Sequence, residues 1–176
     1  IDRAKKSEQQ LTTRASFDAL TELYNRETIE SQIDNEITLS EARKSEMAVL
    51  FIDVDDFKHY NDQYSHATGD QVLKFVARTI KGTVNEFGFA GRYGGDEFIA
   101  CIRNAEINDP TRAAQDIISK LEEGFECDGV HLTVSVSIGI SMIKDDYNTR
   151  VEYIIGKADD AMYSVKKNGK SNYAFI

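Results

Sequence analysis

The sequence predicts an α+β fold in which an antiparallel or mixed sheet is covered by helices. Three observations carry this. Residues 47–54 form a near-continuous apolar run of strand length. Residues 131–142 alternate, with Leu132, Val134, Val136, Ile138 and Ile140 on one side and Thr133, Ser135 and Ser137 on the other. Helical stripes lie around these strands without the strict strand–helix alternation of a doubly wound sheet.

Taken in order, residues 1–16 are polar, and Leu11 is their one expected interior anchor. They read as a helix arriving from an upstream domain, too short to fit a heptad. A helix over residues 25–44 follows, with Ile29, Ile33 and Ile37 on one face. The apolar strand then ends in an acidic group, Asp53, Asp55 and Asp56. A second helix starts near Thr68 and turns Val72, Phe75, Val76 and Ile80 inward. Residues 87–103 read as a hairpin around Gly94-Gly95. Asp109-Pro110 opens a helix whose stripe is Ala114, Ile117, Ile118 and Leu121. After the alternating strand, a last helix over residues 150–167 stops at Asn168-Gly169, and a short strand over 172–176 follows. There is no internal repeat or low-complexity tract.

The 176 residues suit one domain with a real core. Lys and Arg number 21 against 30 Asp and Glu, a net charge of −9, which argues against non-specific nucleic-acid binding. No apolar run approaches the roughly 18 residues of a membrane span, and the charged and amidic first residues do not resemble a signal peptide. The chain begins with Ile and is therefore expected to be a piece of a larger protein, one that can carry a membrane anchor elsewhere. Cys101 and Cys127 are too few for a disulfide framework or zinc site, so both are expected to be reduced in a cytoplasmic setting, Cys101 in the core.

The chemistry concentrates at two acidic positions. Asp53 directly follows Val49-Leu50-Phe51-Ile52, and Asp96-Glu97 directly follows the two glycines of the hairpin. Carboxylates gathered at strand ends and turns suit Mg²⁺, which takes oxygen ligands and is held by one or two carboxylates plus substrate phosphates. Gly94 and Gly95 are expected to supply positive φ and close backbone approach to a ligand. Acidic residues at turns are also commonly just solvated, so the pattern alone leaves both readings open.

Longer strings are more specific. Arg92-Tyr93-Gly94-Gly95-Asp96-Glu97-Phe98 resembles the signature of the GGDEF family, the diguanylate cyclases. Asp18-Ala19-Leu20-Thr21-Glu22-Leu23-Tyr24-Asn25-Arg26 resembles that family's D-x-L-T-G-L-x-N-R block, with Glu22 in place of glycine. Phe51-Ile52-Asp53-Val54-Asp55-Asp56-Phe57-Lys58 resembles its metal strand. Asn61-Asp62-Gln63-Tyr64-Ser65-His66-Ala67-Thr68-Gly69-Asp70 resembles N-D-x-x-G-H-x-x-G-D, with Ser65 in place of glycine. Ala158-Asp159-Asp160-Ala161-Met162-Tyr163-Ser164-Val165-Lys166 resembles A-D-x-A-L-Y-x-A-K. The blocks keep family order and spacing and cover about residues 16–176.

The resemblance implies a palm-like sheet, shared with nucleotide polymerases and nucleotidyl cyclases. It divides the chain into a helical linker, residues 1–16, and a diguanylate cyclase domain, residues 17–176. It implies condensation of two GTP into cyclic di-GMP with release of two pyrophosphates across a homodimer, under an upstream sensor or receiver domain. Asp53, the Val54 carbonyl, Asp96 and Glu97 would hold Mg²⁺ (or Mn²⁺), and Asp96 would also accept the 3′-hydroxyl proton. Asn61 and Asp70 would read the guanine edge, Gly94 and Gly95 would border the substrate, and Lys58, Lys166 and Lys170 would hold phosphates.

Physical reasoning sits well with those roles. Phosphoryl transfer is mainly positioning and charge stabilisation, and two metals can serve an in-line displacement. Guanine offers adjacent N1–H and N2–H donors to a carboxylate such as Asp70, and adenine does not. Plainer roles stand beside them. Lys166 and Lys170 complement a helix C-terminus, and Asp70 suits an early helical turn. His66 shapes a loop, His59 and His131 lie on the surface, and Asp159 and Asp160 of the last helix are either structural or, for Asp159, an indirect support of the site. Gly169-Lys170-Ser171 is not a phosphate-binding P-loop, since Ser164 stands where its first glycine belongs and the helix comes first. Asn85 and Gly88 occupy the positions of the family's R-x-x-D product-inhibition motif, so no such site is expected. The rival readings are a catalytically silent GTP-binding regulatory domain and an enzyme joining other nucleotides.

Overall fold

The computed structural model describes residues 2–176; Ile1, the first residue of the expected linker, lies outside the described residues. In chain order the elements are α1 (Asp2–Ser16), α2 (Arg26–Arg43), β1 (Met47–Val54), α3 (Phe57–Gln63), α4 (His66–Val84), β2 (Gly88–Arg92), β3 (Glu97–Arg103), α5 (Pro110–Glu123), β4 (Phe125–Cys127), β5 (Val130–Leu132), β6 (Val136–Ile143), α6 (Val151–Lys167) and β7 (Asn172–Phe175).

The apolar run is the central strand of a five-stranded sheet ordered β2-β3-β1-β6-β7. All pairings in it are antiparallel except β6 with β7. Both faces of β1 are buried, which is why it lacks alternation. Leu50, Ile52 and Val54 pack with Val72, Val76 and Ile80 of α4 and Ile117 and Leu121 of α5. Val49 and Phe51 pack on the other face with Ile29 and Ile33 of α2 and Ile154 and Ile155 of α6. The fold is thus α+β and palm-like, as expected.

Local chemistry sets the helix ends. Asn25 accepts from the Thr28 N–H at the start of α2, and Asp109 accepts from the Thr111 N–H beside Pro110. Ser65, the residue in place of glycine, caps α4 by accepting from the Thr68 N–H at 3.1 Å. Close packing seats α6: a β-carbon on Gly139 of β6 would run into the Ala158 carbonyl and the Met162 N–H. Ser137 and Ser141, on the same face of β6, are fully buried beneath that helix.

Four expectations change. Leu11 is not an anchor: it is 65% exposed on a helix with no apolar stripe. The seven residues of α3 form a helix of their own, invisible to periodicity because none of them is fully buried. Residues 131–142 are two strands rather than one, and β5 pairs with the short β4 in a separate hairpin. The break arises because residues between them bond elsewhere: the Val134 N–H donates to the Leu121 carbonyl, and the Ser135 carbonyl accepts from the Asp55 N–H. Finally, neither Gly94 nor Gly95 adopts positive φ.

Candidate active site

Asp53, next to last in β1, lies directly opposite Glu97 of β3 and Ser137 of β6. Opposed residues of an antiparallel pair share a face, so the Asp53 and Glu97 carboxylates project on the α6 side of the sheet. The turn between β2 and β3 holds Asp96 beside them. Tyr93 and Gly94 N–H groups donate to the Glu97 carbonyl at 2.8 and 3.2 Å, and the Val54 N–H donates to the Asp96 carbonyl at 3.1 Å. Gly94 has no positive φ, and a β-carbon there would press on the Glu97 carboxylate and make it shift.

Arg92 braces this turn. Its guanidinium donates to the Gly94 and Gly95 carbonyls and to Asp18, the last at 3.3 Å. Asp18 also accepts from the Thr21 N–H and hydroxyl. Burial alone would raise the Asp18 carboxyl, but Thr21 and Arg92 outweigh it and hold it below the ordinary range. The D-x-L-T string and the glycine turn are therefore one hydrogen-bonded unit. Glu22, at the family's glycine position in that string, takes a left-handed φ of 62°.

Lys166, from the last turn of α6, places its ammonium 3.0 Å from Asp53 Oδ1, 3.1 Å from Asp55 Oδ1 and 3.4 Å from the Val54 carbonyl. Burial works against its charge, but the two carboxylates more than compensate and raise its pKa. Burial also pushes the Asp53 carboxyl up; the Lys166 ammonium opposes this, and the charges of Asp96 and Asp55 add to it. Glu97 is raised by burial first and then by Asp53, Asp159 and Asp96, so Asp159 does bear on the site electrostatically. Lys170 reaches Asp56 at 2.9 and 3.0 Å instead of the strand-end acids.

On the other side of the turn, α3 and α4 form a cleft of about 340 Å³ against Arg92, Gly95 and Asp96. Lys58, Asn61 and Asp70 line it, with His66 and the apolar Phe57 and Leu73. Gly69 makes room for Asn61, whose Oδ1 would collide with a β-carbon at that position. The expected site residues thus fall into two adjoining groups: Asp53, Val54, Glu97 and Lys166 at the strand ends, and Lys58, Asn61 and Asp70 in the cleft, with Asp96 bordering both.

The donor set fits a hard divalent cation. Among the described residues no three or more His, Cys, Asp or Glu side chains are grouped tightly enough to hold a metal alone. The strand-end oxygens already surround one cation, the Lys166 ammonium. One or two carboxylates plus a backbone carbonyl, completed by phosphate oxygens, is how Mg²⁺ is commonly held. Asn85 and Gly88 lie together beside a separate cavity of about 330 Å³. A side chain at Gly88 would meet the Cys101 carbonyl, so the backbone there leaves no room for an acid.

Sequence reasoning missed Asp55, which is 4% exposed and carries four donors. It also missed the Asp18–Arg92 bridge. The D-x-L-T string was the available signal for the second; the first had none beyond its place in the acidic group that ends β1.

A family model described as diguanylate cyclase, GGDEF domain, matches residues 15–172. The chain is 34% identical over 171 residues to the bifunctional diguanylate cyclase/cyclic di-GMP phosphodiesterase MucR of Pseudomonas aeruginosa, covering 97% of this chain and 25% of MucR. It is 38% identical over 136 residues to diguanylate cyclase A of Treponema denticola, covering 77% of this chain and 36% of that protein. The chain therefore spans a quarter to about a third of these relatives. Among solved structures, the GGDEF domain of TpbB (YfiN) from Pseudomonas aeruginosa is 33% identical with a TM-score of 0.84, covering 90% of this chain and 93% of that one. The coiled coil and GGDEF domain of DgcB from Caulobacter crescentus, in complex with c-di-GMP, shares the fold with a TM-score of 0.91 at 24% identity, covering 99% and 93%.

Proposed function

The chain belongs to the GGDEF family of diguanylate cyclase domains, and on that premise we propose that it joins two GTP molecules into cyclic di-GMP with release of two pyrophosphates. The observation that carries the reading is the meeting of the two groups: the Asp53–Glu97 strand-end pair and the Asn61–Asp70 cleft adjoin at Asp96. The acids of the first suit a divalent ion that would carry a triphosphate, and the second offers Asn61 and Asp70 as partners for a base.

Asp70 and Asn61 bind the guanine edge, Asp70 taking its paired N1–H and N2–H donors. Lys58, Lys166 and Lys170 hold phosphates; with a net charge of −9 the chain does not draw in GTP by its overall field, so local lysines must act. Gly94 and Gly95 let the nucleotide approach the turn. Asp53, the Val54 carbonyl, Asp96 and Glu97 would bind the divalent ion, Mg²⁺ or Mn²⁺, which supplies charge neutralisation at the reacting phosphate and the departing pyrophosphate. In each half-reaction the 3′-oxygen of one GTP attacks the α-phosphorus of the other, and the α–β anhydride bond breaks. Pyrophosphate leaves, and the hydroxyl proton passes to the Asp96 carboxylate.

Among the described residues one cleft has this lining, so two chains must face each other and the active form is a homodimer. The exposed α1 is read as the connection to a regulatory sensor or receiver domain. Among the described residues no helix is long and apolar enough to cross a membrane. Competition between GTP and ATP for the cleft tests the base reading: GTP is expected to bind at least about tenfold tighter, through the paired hydrogen bonds to Asp70 that adenine cannot donate. Equal binding would sink guanine selection by Asp70.

A further inference from the structure

Asp55 is two residues beyond Asp53, yet its surroundings are different. Its side chain is 2% exposed. Oδ1 accepts from the Ser137 hydroxyl at 2.7 Å and faces the Lys166 ammonium at 3.1 Å. Oδ2 accepts from the Ser135 hydroxyl and from the Ser171 N–H, the latter at 3.1 Å. A carboxylate offers about four acceptor sites, and here all four are engaged. A metal could enter only by displacing one of those donors.

What these bonds hold is strained. Gly169, Lys170 and Ser171 have φ of 109°, 64° and 46°, three left-handed residues in succession, two of them with side chains. Such residues persist only where their surroundings over-determine them. The restraints present are the Asp55–Ser171 bond, the Lys170 N–H to the Val165 carbonyl, the Lys170–Asp56 ion pair and the Ser171 hydroxyl to Glu122 at 2.6 Å.

We propose that Asp55 is the positioning residue of the triphosphate site, binding no metal but anchoring Lys166 and the left-handed 169–171 loop so that Lys166 and Lys170 are presented to phosphates. This rests on the nucleotide reading given above. It assigns the two aspartates of the strand end opposite tasks. Among the described residues Asp53 meets one side-chain donor, Lys166, and keeps an oxygen for a metal, whereas Asp55 spends all its acceptor sites on the protein.

The test is calorimetric titration of the chain, with Mg²⁺, using α,β-methylene GTP, which cannot release pyrophosphate, and GMP. Asp55→Asn is expected to weaken the triphosphate about tenfold and GMP less than about twofold, the difference being the contribution of a positioned ammonium. The Mg²⁺ half-saturation should stay within about twofold, whereas Asp53→Asn should raise it at least about tenfold. The Ser171 amide should exchange at least about tenfold faster in Asp55→Asn without nucleotide. Should that variant not fold, Ser135→Ala, which removes one donor and keeps the charge, is expected to weaken the triphosphate about threefold and spare GMP. Equal losses for both nucleotides would reduce Asp55 to a structural role, and a loss of Mg²⁺ affinity matching Asp53→Asn would make it a ligand. Either overturns the proposal alone. A native chain that binds the triphosphate no better than GMP overturns the nucleotide reading and this proposal together.

Discussion

The Lys166 ammonium lies 3.0 Å from Asp53 Oδ1, with 22% and 17% of the two side chains exposed. A helix-borne cation therefore sits among the oxygens assigned to a metal, and it is held there largely out of water. Removing it leaves Asp53 and Asp55 with uncompensated charge. Lys166→Met is expected to lower unfolding stability in metal-free buffer by about 1–3 kcal/mol, below the full cost for a buried pair because this one is partly solvated. Urea unfolding measures it. Added Mg²⁺ should recover part of the loss, and an unchanged midpoint would mean the pair contributes nothing.

Space behind Asn61 is equally specific. Gly69 lies so close to Asn61 Oδ1 that any β-carbon forces the amide away. Gly69→Ala should weaken GTP binding about tenfold, the scale of one misplaced polar contact. Thermal unfolding of the same variant should stay cooperative. Binding equal to that of the native chain would remove Asn61 from the base-reading role.

Glu22 holds a left-handed φ of 62° at a position where the family has glycine. A side chain in that region costs on the order of 1 kcal/mol. Glu22→Gly should thus raise stability by about that amount in a urea titration. A destabilised variant would show that the Glu22 side chain makes up for its backbone.

The β4–β5 hairpin is expected to respond to pH. His131 Nδ1 is 2.7 Å from Glu126 and Nε2 is 2.8 Å from the Glu123 carbonyl. The Glu126 hydrogen bond, helped by that carbonyl, raises the imidazole above its ordinary 6.5. Because the folded value is raised, the protonated pair's contribution is complete below pH 6.5 and is lost as pH climbs through the raised value. An NMR titration of His131 should show the elevated midpoint, and Glu126→Gln should return it toward 6.5. A native midpoint at or below 6.5 would contradict the arrangement.

The sequence showed most clearly what repeats locally. The stripe of Ile29, Ile33 and Ile37 and the unbroken run of β1 were legible because burial on one or both faces leaves a period or its absence. The turn acids Asp96 and Glu97 stood out for their place after two glycines. What escaped depends on distant partners. Asp55 takes donors from 80, 82 and 116 positions away, and Asp18 meets Arg92 across 74. Residues 133–135 leave the strand pattern because they bond to α5 and to the end of β1, which no alternation records. At Gly94 the expected positive φ is absent, and the residue that a β-carbon would displace is the neighbouring Glu97 side chain.

Product formation from GTP and Mg²⁺ over a range of protein concentrations, with Asp96→Ala as control, tests the central claim most directly. Cyclic di-GMP is predicted, with specific activity rising with concentration as half-sites meet, and none from the variant. No product at the highest concentration, or from an enforced dimer that still binds GTP, would make the domain a nucleotide receptor and contradict the catalytic assignment.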